Sequence, residues 1–127
     1  MRKMSLIFCG AIALSAAPAY AQTESTNFLC NTSNGNFYSR VGPTEYRNFF
    51  DATEGAAARW GPNLCDGSSS HITCSWANGV LTIQEAWGIP PIVSIGYFDT
   101  NTAVHTWKVG DQGEETELCT PTGDPMK

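Results

Sequence analysis

Four cysteines, Cys30, Cys65, Cys74 and Cys119, follow the first 21 residues, and they constrain the fold more than any other feature of the chain. An even cysteine count in a small exported chain reads as two disulfides. The preferred pairing joins Cys65 to Cys74, closing a short loop. It also joins Cys30 to Cys119, tying the first strand to the last, where the ends of a compact domain often meet. Cys30–Cys65 with Cys74–Cys119, and Cys30–Cys74 with Cys65–Cys119, are the alternatives.

Export itself is read from the start of the chain. Arg2 and Lys3 precede an apolar run, and Ala19-Tyr20-Ala21 puts small residues at both cleavage positions. That is the layout of a secretory signal peptide over residues 1–21. The run is too short for a permanent membrane helix, and no later segment is long and apolar enough, so no membrane insertion is expected after cleavage. Cys9 is a poor lipidation site because bulky Phe8 precedes it. The expected product is one disulfide-stapled domain over 22–119 with a flexible tail over 120–127, periplasmic or secreted.

The formal charge is −5, from 12 acidic and 7 basic residues, and two of the basic ones lie in the leader. The remaining cations (Arg40, Arg47, Arg59, Lys108 and Lys127) are scattered. That argues against binding a nucleic-acid backbone or an anionic membrane surface. An acidic surface suits a cationic partner instead.

The segment from Cys65 to Cys74 carries an aspartate, three serines and one of the two histidines. Oxidised sulfurs cannot act as thiolate ligands or nucleophiles. Cys65, Cys74 and His71 lack zinc-finger spacing, with His105 far away in sequence, so no metal and no cofactor are expected. Ser70 and His71 are adjacent and point apart in an extended chain, and no G-x-S-x-G elbow surrounds them. The segment reads as a polar loop. Asn31-Thr32-Ser33 fits a glycosylation sequon, but the leader looks bacterial and no glycan is expected.

Strands are expected at 27–31 and 36–41, joined by a turn containing Asn34-Gly35, and again at 71–76, 80–87, 92–99, 103–109 and 116–119. Between them, Tyr46, Phe49, Phe50, Ala57 and Trp60 form a stripe at helical spacing. Thr44 serves as its cap, Arg59 suits its C-terminal end and Gly61-Pro62 stops it, although Gly55 weakens its middle. The expected fold is therefore α+β, one amphipathic helix packed on a twisted antiparallel sheet of four to six strands. A small all-β barrel with a short helix is the alternative. Gly88-Ile89-Pro90-Pro91 reads as a connection or an edge, and residues 110–117 as an acidic solvated loop.

Register brings out the candidate chemistry. The Asn78-Gly79 turn pairs Trp76 with Leu81, Cys74 with Ile83 and Ile72 with Glu85, which turns Glu85 to the apolar face and His71 away from it. A three-residue loop at Thr100-Asn101-Thr102 pairs Tyr97 with His105 and Ile95 with Trp107. It groups Val93, Ile95, Tyr97, Trp107 and Val109 on one face. Glu85, His105 and Tyr97 are then the candidates for acid–base work if the sheet curves around a pocket. The plainer alternative leaves Glu85 solvated at a strand end and His105 in an ordinary cross-strand pair. No motif ties the chain to a family. The expected function is a non-enzymatic binding or inhibitor module of the bacterial envelope, taking a cationic protein or a small ligand. The alternative is a small secreted hydrolase or ribonuclease-like enzyme using Glu85 and His105.

Overall fold

The structure, a computed structural model, describes residues 24–127; the signal peptide expected over 1–21 lies outside the described residues. Nine strands make one antiparallel sheet: β1 (Thr26–Thr32), β2 (Gly35–Gly42), β3 (Glu45–Phe50), β4 (Arg59–Trp60), β5 (Ile72–Ala77), β6 (Val80–Trp87), β7 (Ile92–Asp99), β8 (Val104–Val109) and β9 (Glu115–Thr122). Their order across the sheet is β4-β3-β2-β1-β9-β8-β7-β6-β5. Chain neighbours pair except for β4 and β5, which form the two edges, and the one non-sequential pairing among these strands sets β9 beside β1. The sheet curls into a half-barrel with one face inward.

The described residues contain no helix, so the helix-on-sheet expectation over 44–60 is corrected. The five apolar side chains that fit a helical stripe belong instead to two strands and a loop. Tyr46 and Phe49 lie in β3, and Phe49 pairs with Trp60 of β4 across a long connection. That connection is irregular, with a small bridge between Thr53 and Ala56 and Gly55 at φ 89°. The hairpin with β2, through Val41↔Tyr46 and Ser39↔Asn48, supplies ladder hydrogen bonds to aromatic residues that prefer strands. Phe49 makes edge contacts with both Tyr38 and Trp60 at ring separations of 5.9 and 5.2 Å.

Both disulfides of the preferred pairing are present, Cys30–Cys119 and Cys65–Cys74. Cys30 and Cys119 face each other across β1 and β9 inside the curl. Beyond β4 the chain runs back along β3: Gly61 N donates to Asn48 O at 2.8 Å, and Leu64 N to Tyr46 O at 2.9 Å. Cys65 thus sits on the outer margin of β3, while Cys74 lies on β5 at the opposite edge of the sheet. Their bond ties the two edges together.

The core fills one end of the curl. Phe28, Cys30, Val41, Leu81 and Phe98 are buried there, with Phe28 and Phe98 rings 4.8 Å apart. Ile72, Trp76 and Leu64 pack against them. Turns close this end. Asn78 (φ 53°) and Gly79 (φ 81°) form the tight hairpin that their sequence demands, and Asn101 Nδ2 donates to Asn78 O at 2.8 Å. β9 runs on through Thr122, past the Cys119 where a tail was expected to begin. Asp124 then accepts from Arg40 Nη2 at 2.7 Å and from Trp60 Nε1 at 3.1 Å.

Candidate functional site

The inner face of a strand carries every second residue, so the pairing decides what fills the other end of the curl. β5 and β6 pair as Ile72↔Glu85, Cys74↔Ile83 and Trp76↔Leu81, which turns Glu85 inward with Ile83. β7 and β8 pair as Phe98↔His105 and Gly96↔Trp107, one residue away from the expected register. The loop between them spans four residues, because Ala103 adopts a left-handed conformation (φ 59°) and its carbonyl accepts from Cys119 N at 2.8 Å. The one-residue slip splits the apolar face expected for this hairpin. His105, Trp107 and Val109 now share the inner row with Phe98, Gly96 and Ser94, whereas Val93, Ile95 and Tyr97 face outward. Tyr97 is 41% exposed and takes no part in the site.

A cavity of ≈ 570 Å³ opens on the concave face above the core. Phe37 from β2, Tyr46 and Asn48 from β3, and Ile83 from β6 form one part of its wall. Gly96, His105 and Trp107 form another, and the acids Glu85, Glu115 and Glu117 also reach the lining. Two of the three sequence-level candidates, Glu85 and His105, therefore share this cavity.

His105 is held on all sides. Its ring stacks on Phe98 below (centroids 5.4 Å) and on Trp107 above (5.1 Å), with Tyr46 at 6.2 Å. Nδ1 lies 2.7 Å from Oε1 of Glu117 on the neighbouring strand, where His105↔Glu117 are directly paired. That carboxylate is almost wholly buried, with a side-chain exposure of 4%. The ring's other nitrogen faces Gly96: a methyl group there would sit 3.5 Å from Nε2. Gly96 and His105 both line the cavity.

Tyr46 is a buried polar group beside this pair. Burial pushes its phenol up to about 12, and the negative charges of Glu117 and Glu85 add to that, against a hydrogen bond with Ser39. Ser39, fully buried, donates to Asn48 Oδ1 at 3.2 Å. Glu85, a lining residue of the cavity, accepts from the Trp87 indole through Oε2 at 3.3 Å. Glu115, exposed, marks the rim.

His71 lies outside the cavity, on the exposed side of the hairpin start. It stacks on Trp87 at 4.3 Å, and its Nδ1 lies 3.1 Å from Ala86 O, so it has partners that its sequence surroundings do not announce. Cys65 and Cys74 are structural, as their bond requires. Sequence reasoning passed over Glu117, Tyr46 and Ser39. For Glu117 a signal existed: alternation along β9 puts it on the same face as Cys119, which must point inward to meet Cys30.

Among the described residues, one group of three potential metal ligands comes together, Cys30, Glu117 and Cys119. Its sulfurs are already spent in the disulfide. The three cavity carboxylates do not converge on one point closely enough to hold a single ion. No family model matches the chain, and neither the curated proteins nor the solved structures contain a significant match.

Proposed function

We propose that this chain is an exported binding domain of the bacterial envelope, and that the cup formed by its curled sheet takes a small ligand. One observation carries the reading: a cavity of ≈ 570 Å³ on the concave face, walled by aromatic and polar side chains above a buried apolar core. That volume lies in the ordinary range for small-molecule sites, and a curled sheet of this size is wide enough to hold one such molecule. The two disulfides suit an oxidising compartment, in keeping with the leader-like start of the chain. A chemically diverse small-molecule screen read by NMR is the test. Binders are expected to shift the backbone amides of Phe37, Ile83, Gly96 and Trp107; a broad screen that leaves all four unmoved overturns the reading.

A second reading, a small secreted hydrolase or ribonuclease-like enzyme using Glu85 and His105, is favoured by the contact between His105 and Glu117. A carboxylate that orients an imidazole in the wall of a cavity is the arrangement of a general-base dyad. Among the described residues, however, the lining includes no lysine or arginine to steady negative charge in a transition state. Hydrolysis of RNA or a model ester that disappears in His105→Ala would establish the enzyme; we expect no turnover by the wild type.

A further inference from the structure

We propose that the ligand of this cup is an organic cation, an ammonium group carried on an apolar body; the inference rests on the binding-domain reading above. Charge comes first. Among the described residues, Glu85, Glu115 and Glu117 line the cavity and no lysine or arginine does. An anionic ligand would meet uncompensated repulsion there, whereas a cation replaces lost hydration with carboxylate contacts. The acids are also graded in depth, from exposed Glu115 at the rim through half-buried Glu85 to Glu117, which is 5% exposed. Such a gradient draws a positive group inward.

The carboxylates decide what kind of cation fits. A hard metal ion needs several oxygens closing on one point, and these three do not come together in that way. Their spread suits a molecule with a body instead. The walls supply a surface for that body: Phe37, Tyr46 and Trp107 present aromatic carbon to the same space. An indole is the strongest ordinary partner for an ammonium group. Glu117 and Glu85 both act on the Tyr46 phenol, adding to the effect of burial in holding its proton. The field that retains that proton favours an incoming cation. Glu117 already has His105 as its partner, so Glu85 and Glu115 are left to meet the ligand, Glu85 being the less exposed of the two.

Three probes of matched shape separate charge from shape: phenethylammonium, 2-phenylethanol and 3-phenylpropionate, each titrated by NMR into the disulfide-intact protein at neutral pH. Phenethylammonium is expected to move the Trp107 indole and the Gly96 amide, and to bind at least about tenfold more tightly than the alcohol. The propionate is expected to leave both signals unmoved. Glu85→Gln should reduce the ammonium affinity about tenfold while leaving the alcohol unchanged. Trp107→Leu, a second variant in case Glu85→Gln disturbs the fold, should weaken the ammonium more than the alcohol. Binding of the alcohol or the propionate in the cup as tightly as the ammonium overturns the cation inference and leaves the binding-domain reading standing. Failure of phenethylammonium to move either cavity signal at millimolar concentration also overturns it. The wider reading then depends on the diverse screen alone.

Discussion

Cys65 and Cys74 join the two edges of a nine-stranded sheet, one from the chain segment laid along β3, the other from the middle of β5. Cys30 and Cys119 connect adjacent strands that are already paired. The two bonds therefore do different work. In the chain-entropy account the long-range bond, with a sequence separation of 89, contributes about 4–5 kcal/mol, and the short one, with a separation of 9, about 2–3 kcal/mol. Replacing Cys30 and Cys119 by serine should give the larger loss in urea unfolding. Replacing Cys65 and Cys74 should cost less stability but open the seam, reducing protection of the Tyr46 and Leu64 amides from hydrogen exchange. Equal protection in the wild type and the Cys65/Cys74 variant would refute the seam.

The pairing of β5 with β6 is legible because Asn78-Gly79 admits one tight turn, and every pair out to Ile72↔Glu85 follows from it. β7 and β8 resist the same reasoning because alanine is not a residue that announces a left-handed conformation. Ala103 adopts one nonetheless, supported by its bond to Cys119. One hidden loop residue is enough to turn His105 toward Phe98 and Tyr97 toward solvent. The stripe from Tyr46 to Trp60 misleads for a different reason. Aromatic residues at helical spacing also suit strands, and the choice is made by β2 alongside, a partner that local periodicity does not see. Glu117 looked like part of a solvated acidic loop because its burial depends on the closure of β9 against β8 and β1.

Glu117 and His105 are neighbours across β8 and β9 in an almost dry part of the cup. Glu117→Ala leaves Nδ1 of a well-packed imidazole without its acceptor, which costs about 1–3 kcal/mol. Glu117→Gln retains an acceptor oxygen and should lose less. Urea unfolding of the three proteins gives the order, and an Ala variant as stable as the wild type would show that the contact contributes nothing.

Asp124 fastens the end of the chain to the outside of the sheet through Arg40 and Trp60, whose ring also receives the Arg40 guanidinium at 4.3 Å. Its carboxyl is held below the usual value, by the Met126 amide first and then by Trp60 and Arg40. A depressed carboxyl stabilises the attachment above its unfolded value and ceases to do so as pH falls through the lower folded one. Protection of the amides of residues 123–127, corrected for the intrinsic exchange rate, should therefore fall in acid before the sheet melts. Asp124→Asn should show the reduced protection already at neutral pH. Identical exchange in both proteins would mean that Asp124 does not hold the terminus.

Tyr46 gives the opposite sign at the other end of the pH scale. Burial, helped by Glu117 and Glu85, raises its phenol from 10.0 to about 12. The folded protein thus binds this proton more tightly than the unfolded chain does, and the corresponding stability is fully present below pH 10. It is lost as pH climbs through about 12, because a charged phenolate cannot stay beside two carboxylates in a buried site. The amount at stake is about 3 kcal/mol. Tyr46→Phe removes the titrating group, so its unfolding free energy should fall less steeply between pH 10 and 12 than that of the wild type. The Phe variant should also start lower at neutral pH, since Ser39 loses its phenol partner in a fully buried position. Parallel curves for the two proteins over that interval would show that Tyr46 does not titrate with folding.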